Sequence, residues 1–303
     1  MKILVTGGAG FIGSHTVEYY QHRAEVVVLD NYRSGRPENL EGLHCRVVEG
    51  SLLDRRLLGD LCKGVDYVFH LAALVSVAES MENPAEAVEI NVRGLLNVLE
   101  ASRDAKVKKL IFASSAAVYG LDPEQPKHEA LRPAPCSPYA ITKLDGEFYC
   151  QMYHDQGWLS TACVRFFNVF GPRQDPGSHY AAAVPIFIDR ALAGEPITIF
   201  GNGGQTRDFI YVKDIVEILC FLAEHNTPEG VYNAGYGESI TILEMAQLVT
   251  RLLDSDSSIT FGAERAGDLR YSTSDPLRLL RAGWMAKYTV RSGLEELISS
   301  LKK

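Results

Sequence analysis

The sequence predicts an α/β protein: a doubly wound parallel sheet joined to a smaller mixed α/β region toward the C-terminus. Three observations predict it. A short apolar run, Lys2-Ile3-Leu4-Val5-Thr6, opens directly into Gly7-Gly8-Ala9-Gly10-Phe11-Ile12-Gly13 and then a helical pattern. Strand-like runs at 25–30, 45–49, 66–71, 108–113 and 161–167 alternate with helical ones, which places helices on both faces of a parallel sheet. After about residue 169 this alternation gives way to loops and short mixed elements.

The first strand is apolar along its length, as a strand covered on both faces must be. Gly7, Gly10 and Gly13 form a Gly-x-x-Gly-x-x-Gly variant of the dinucleotide fingerprint. Glycine there permits a tight turn, lets backbone N–H groups approach a pyrophosphate and lets helix and strand pack closely. Phe11 and Ile12 lie inside that turn and count with the glycines as cofactor contacts. The helix from Ser14 to about Gln21 directs partial positive charge at the phosphates. The second strand ends at Asp30, whose carboxylate can accept from both adenosine ribose hydroxyls and would repel a 2′-phosphate. NAD is therefore favoured over NADP, although Arg33 and Arg36 are close enough in sequence to leave NADP open. Asn31, Ser34 and Gly35 join the candidate cofactor contacts, as do Ser51 and Leu52 after the third strand. Leu71, Ala72 and Ala73 follow the fourth strand, Ser115 the fifth, and Phe166 and Asn168 stand at the sixth. Ligands of such Rossmann-type sheets bind at the carboxyl ends of the strands, where Gly7, Asp30, Ala72, Ser115 and Asn168 all fall.

Ser137-Pro138-Tyr139-Ala140-Ile141-Thr142-Lys143 reads as the start of a helix, with Ser137 as N-cap and Pro138 as first residue. The i, i+4 spacing puts the Tyr139 phenol and the Lys143 ammonium on one face. A free tyrosine ionises near pH ~10 and is a poor base at neutrality. A nearby cation favours the phenolate, which could then take a proton from a sugar hydroxyl.

At 303 residues, with 46% hydrophobic and 22% charged residues, the composition is that of an ordinary globular protein with a generous core. The formal net charge of −8 argues against nucleic acid or anionic membrane as main partners. Six scattered cysteines without a Cys-x-x-Cys pair read as core or near-core thiols in a reducing cytoplasm, and neither they nor the eight histidines show metal spacing. The first strand starts at residue 2 and no apolar run approaches ~18 residues, so no leader or membrane span is expected.

The expected cofactor domain is 1–168, with returning segments near 208–235, including strands at 208–212 and 231–235. The remainder, 169–207 and 236–303, forms the second domain, with a helix from about Ala182 to Ala193 and a strand over 197–200. The long helices near 84–104 and 138–156 could pair with their copies in a homodimer through a four-helix interface, or only cover the sheet.

Gly7–Gly13, His70-Leu71-Ala72-Ala73, Asn91, Ser114-Ser115-Ala116-Ala117-Val118-Tyr119-Gly120 and Tyr139/Lys143 occur together and in order. With Arg165-Phe166-Phe167-Asn168-Val169-Phe170-Gly171-Pro172-Arg173 and Arg207-Asp208-Phe209-Ile210-Tyr211-Val212, the chain resembles the extended short-chain dehydrogenase/reductase family, and within it the UDP-hexose 4-epimerases. The resemblance implies catalysis by Ser115, Tyr139 and Lys143, a tightly bound and recycled NAD, and Asn91 ordering the active-site helix. It implies a UDP-sugar held by Asn168, Ala183, Val184, Thr198, Phe200, Arg207, Arg265, Asp268 and Ser272. Arg207 and Arg265 would clamp the phosphates, Asp268 the uridine ribose, and Arg173 is a further candidate phosphate contact; the lesser alternatives are that Arg207-Asp208 is a local ion pair and that Asp268 caps a turn.

Two departures matter. Ser51 stands where many relatives have an aspartate at the adenine edge, and nearby Asp54 could simply cap a helix. Ala116 and Ala117 replace the acidic pair that 4,6-dehydratases use for elimination. Ser272 leaves open the space that an acetamido group needs, so UDP-GlcNAc and UDP-GalNAc are expected beside UDP-glucose and UDP-galactose. A UDP-glucuronate 4-epimerase, a decarboxylase, a dehydratase or a reductase is the alternative.

Overall fold

The computed structural model describes residues 1–175, 183–264 and 269–301. Arg265 and Asp268 lie outside the described residues. In chain order the elements begin β1 (Lys2–Thr6), α1 (Phe11–Tyr20), β2 (Glu25–Asp30), β3 (Arg46–Glu49), α2 (Arg55–Leu61), β4 (Tyr67–His70), α3 (Val77–Glu82) and α4 (Pro84–Val88). They continue through α5 (Gly94–Asp104), β5 (Lys109–Ser115), α6 (Pro138–Asp155), β6 (Ser160–Phe166), β7 (Asn168–Phe170), α7 (Ala183–Ala193) and β8 (Ile197–Phe200). Then come β9 (Thr206–Arg207), β10 (Phe209–Tyr211), α8 (Val212–Glu224), β11 (Gly230–Ala234), β12 (Ile240–Thr241), α9 (Ile242–Leu253), β13 (Ile259–Gly262), α10 (Leu277–Ala282) and α11 (Val290–Leu301).

The main sheet has seven strands in the order β11-β6-β5-β4-β1-β2-β3, and the paired registers among β1 to β6 are all parallel. Strand order reverses between β1 and β4, the place where doubly wound sheets open a crevice for ligands. Ile3, Leu4 and Val5, like Val26 to Leu29, are buried, consistent with strands covered on both faces. Leu58 and Leu61 of α2, Leu95, Val98 and Leu99 of α5, and Cys150 and Tyr153 of α6 close one core over this sheet.

Two compact units divide the chain. The first comprises 1–120, 132–166 and 215–232; the second comprises 121–131, 167–214 and 233–303. The excursion 121–131 and residues 208–214 belong to the second unit. The expected return of 208–212 to the large sheet is not found. Phe209–Tyr211 pairs instead with Asn168–Phe170 in a two-stranded parallel sheet. The reason is local packing: Phe170 meets Phe209 edge-on at 6.4 Å and Tyr211 at 5.4 Å, and the Asp208 carbonyl accepts from both Asn168 N–H groups, main chain at 3.1 Å and side chain at 3.0 Å. Strand β11 does join the large sheet.

The helical region near 84–104 is not one regular helix: α4 runs into a π turn over Glu89–Arg93 before α5. All six cysteines are free; Cys62, Cys150, Cys163 and Cys220 are buried, but Cys45 is half-buried and Cys136 exposed, so the core reading fails for Cys136, which sits in the loop before α6. Among the described residues no helix is long and apolar enough to cross a membrane, and no cluster of side chains could hold a metal ion.

Candidate active site

The turn after β1 is a cradle with no room for side chains. Gly7 has φ +72°, and a Cβ on it would lie 2.7 Å from the Ala72 nitrogen at the end of β4; on Gly13 it would lie 2.0 Å from the Gly7 carbonyl oxygen. Gly10 is the N-cap of α1 and has no side chain to cap with, so the first-turn N–H groups around Phe11 and Ile12 point out of the helix without an acceptor from the motif. Asp30 is buried at the end of β2. Its Oδ2 accepts from the Ala9 N–H at 2.9 Å and its Oδ1 from Tyr32 N–H at 2.8 Å. A carboxylate has about four acceptor sites, so capacity remains for ribose hydroxyls. Gly35 packs against the same carboxylate, while Asn31 and Ser34 are exposed on the loop between. Ser51 accepts from Leu53 N–H at 3.1 Å, Leu52 is buried with its carbonyl taken by Asn97, and Asp54 caps α2 by accepting from Leu57 N–H at 2.9 Å. Leu71, Ala72 and Ala73 are half-buried beyond β4, and Phe166 is in register with Ser115 across β5 and β6.

The predicted triad is brought together at the end of β5 and the first turns of α6. Ser115 stands close enough to the Tyr139 phenol to lower its pKa, and its hydroxyl accepts from Ala117 N–H at 3.1 Å. Ser137 caps α6 as expected, accepting from Ala140 N–H at 3.2 Å. Lys143 is buried; its Nζ donates to the Ala113 carbonyl at 2.7 Å and lies 5.8 Å from the Tyr139 ring centre and 5.1 Å from that of Phe112. Electrostatically the site differs from the expectation. Burial raises the Tyr139 pKa, with Ser115 opposing it, and burial lowers Lys143 to about 8. Burial and the Lys143 charge drive His70 down to about 3; its Nδ1 pairs with Thr6 Oγ1 at 2.8 Å, so it is a neutral structural group. In this structure the ammonium is directed to a backbone carbonyl, on the side of the helix that also carries the Tyr139 ring.

Beside Asn91, which the motifs name, several positioning residues were invisible to motif reading. Ser80, fully buried on α3, accepts from the Tyr139 backbone N–H at 3.1 Å and donates to the Val77 carbonyl at 2.6 Å. It thereby satisfies a helix-terminal donor that Ser137 does not. Asn91, inside the π turn, clamps the Leu74 backbone at 2.7 and 3.0 Å and donates to Thr142 Oγ1 at 3.0 Å, one residue from Lys143. Glu147 continues the Tyr139–Lys143 face by four residues; it binds Arg165 of β6 through two hydrogen bonds of 2.8 and 2.6 Å and accepts from Ser114. Gly146 lets α6 approach the sheet, since a Cβ there would lie 2.4 Å from Phe112. Only the i+8 spacing of Glu147 could have hinted at its place.

In the second unit, Asn168 spends one amide N–H on the Asp208 carbonyl, and Arg207 donates to the carbonyls of Thr206 (2.8 Å) and Leu269 (2.6 Å). The suggested ion pair with Asp208 is not what holds that carboxylate. Asp208 is fully buried and accepts from the N–H groups of Tyr236, Gly237 and Ser274 and from the Ser274 hydroxyl. Thr198 and Phe200 share the exposed face of β8; Val184 and Ser272 are buried, and Ala183 is half-buried. Arg173 is partly buried with φ +65°.

Residues 3–235 match the model of the NAD dependent epimerase/dehydratase family. The chain belongs to that family. Among solved structures it is similar to the UDP-N-acetylglucosamine 4-epimerase of Methanobrevibacter ruminantium M1, with 38% identity, 99% of this chain and 98% of that one covered, and a TM-score of 0.96. It is similar to the UDP-glucose 4-epimerase of Thermus thermophilus in complex with NAD, with 37% identity, coverage of 100% and 99%, and a TM-score of 0.91. Among curated proteins it is 38% identical over 85% of its length to the UDP-N-acetyl-alpha-D-glucosaminuronate decarboxylase of Bacillus cytotoxicus, covering 82% of that protein. As a member of the epimerase/dehydratase family the chain is an enzyme, and NAD is its cofactor. The residues fit NAD: the side-chain-free cradle of Gly7, Gly10 and Gly13 leads to a bare helix terminus, and Asp30 follows on the next strand.

Proposed function

We propose that this enzyme interconverts a UDP-hexose and its C4 epimer, a specialisation of NAD-dependent chemistry on nucleotide sugars. The observation that carries this reading is the Ser115–Tyr139–Lys143 cluster at the sheet's carboxyl edge, in the same unit as the Gly7–Gly13 cradle, followed by Ala116 and Ala117 instead of acids. When bound, NAD supplies a reversible hydride acceptor. Tyr139 takes the proton of the sugar 4-hydroxyl and later returns one to the 4-oxygen, while Ser115 hydrogen-bonds that oxygen. Lys143 supplies the positive charge that favours the phenolate. No proton or electron is gained overall, so cofactor is retained between turnovers. Asn168, Arg207 and Arg265 are proposed to hold the diphosphate, Asp268 the uridine ribose, and Thr198 and Phe200 the uracil. The small Ser272 side chain supports acceptance of N-acetylated sugars.

Incubation with UDP-galactose, UDP-GalNAc and UDP-glucuronate, without added cofactor, tests the reading by product analysis. The 4-epimers of the first two are expected. Absence of UDP-GlcNAc from the second reaction defeats the open-pocket argument. The likeness to a decarboxylase favours one competing reaction; release of carbon dioxide from a uronate would establish it in place of epimerisation. The pH profile is a second check. Lys143 loses its charge as pH rises through about 8, so kcat/KM is expected to fall above that value. Stability moves oppositely: the cost of burying that charge is present below about pH 8 and is relieved as pH rises toward the ordinary 10.5. A profile flat to pH 10 would remove Lys143 from its role.

A homodimer through the helical region 84–104 and α6 is proposed on the exposed apolar stripe Ile141, Phe148 and Met152 of α6, with Val88 at the end of α4. The same patch on two copies would make a self-complementary interface. Light scattering should give twice the chain mass, and Phe148→Glu should halve it.

A further inference from the structure

The loop after β2 is wrapped around the carboxylate that meets the adenosine ribose. Tyr32 donates its N–H to Asp30 Oδ1 at 2.8 Å, and a Cβ on Gly35 would lie 2.9 Å from Oδ2. Arg33 stands between these two anchor points. A guanidinium at such a place is well suited to a ribose 2′-phosphate, because its fork of N–H donors matches phosphate oxygens. Here the fork is engaged twice. Nη1 binds Glu86 Oε1 at 2.6 Å, and Nη2 binds Glu79 Oε1 at 2.6 Å.

The two carboxylates are placed by the fold. Glu79 sits in the first turn of α3, its backbone N–H held by the Ser76 cap at 3.0 Å, and Glu86 sits in the first turn of α4 after Pro84. Negative charge is favoured at both positions by the helix dipoles. The three side chains are 34–41% exposed. A single exposed ion pair would contribute little, but a guanidinium gripped by carboxylates from two helices has a fixed direction.

We infer that Glu79 and Glu86 are determinants of cofactor choice: they hold Arg33 to α3 and α4, so a 2′-phosphate meets the Asp30 charge with the Arg33 guanidinium already neutralised. The inference rests on the cofactor reading above and adds two residues to it that touch no dinucleotide themselves. It also accounts for an arginine three residues beyond Asp30 in a chain that uses NAD.

The test is calorimetric titration of protein stripped of dinucleotide with NAD and with NADP. Glu79→Gln/Glu86→Gln is expected to tighten NADP binding by about tenfold and to leave NAD within about twofold, because a phosphate–guanidinium contact is charge-assisted. Adding Arg33→Ala to that variant should return NADP to the wild-type value. Unaltered NADP affinity in the double variant overturns the inference, as does a gain that survives Arg33→Ala, which would reflect loss of acid repulsion alone. Wild-type protein that binds NAD in either case keeps the cofactor site intact; wild-type protein that binds neither dinucleotide brings down both readings.

Discussion

Tyr139→Phe is expected to lower the turnover of a UDP-hexose by about 10²- to 10⁴-fold, the range that a positioned acid–base group contributes. The ring keeps its place, since Ser80 holds the Tyr139 backbone N–H rather than the phenol. What is lost is the atom that exchanges a proton with the sugar 4-oxygen, together with its interaction with Ser115. The raised pKa of the phenol sharpens the expectation, because a tyrosine that resists ionisation depends on Lys143 to act as base. Conversion of UDP-galactose by the variant, followed by chromatography alongside circular dichroism, is the measurement. Activity within about threefold of the parent in a folded variant would place the proton transfer elsewhere.

The second large effect concerns the Glu147–Arg165 pair. Both side chains are nearly inaccessible, at 4% and 3% exposure, and are joined by two hydrogen bonds. Removing one partner strands a charge in the interior at a cost of about 3–5 kcal/mol. Glu147→Gln or Arg165→Met should therefore lower the denaturation midpoint clearly, whereas Glu147→Met combined with Arg165→Met should lower it less than Arg165→Met alone. Urea unfolding of the variants decides it. Additive losses in the double variant would mean that the two side chains do not compensate one another. The pair also joins α6 to β6, so single variants should lose catalytic efficiency along with stability.

Much of this molecule is legible in its residue order. The strands of the main sheet are marked by unbroken apolar runs such as Val26-Val27-Val28-Leu29, which have few alternatives to a covered parallel strand. The glycine turn and the Ser137-Pro138 helix start are local signals, and both are found where the residues place them. Illegible are the contacts whose partners lie far apart in the chain. Nothing near Ser80 points to Tyr139, and nothing near Arg33 points to Glu79 or Glu86. Phe209-Ile210-Tyr211 shows a strand but not its partner, because two strand segments of similar composition compete for the same description until their rings are packed. The protonation preferences of Tyr139 and Lys143 are likewise beyond spacing. The i, i+4 rule brings the groups to one face, but burial, which spacing does not encode, sets their direction.

The wide turn at Glu89–Arg93 bears on which changes in length this chain can accept. Ala87 before it and Leu95 and Val98 after it are all fully covered, so both halves of the helix must keep their facing. Each residue of a regular helix advances the facing by roughly 100°. Deleting one residue here would tidy the coil and rotate one half away from its contacts, carrying the Asn91 amide off Leu74 and Thr142. Insertions and deletions among descendants of this sequence should therefore collect in the outer loops, and this stretch should hold its residue count even where its letters drift.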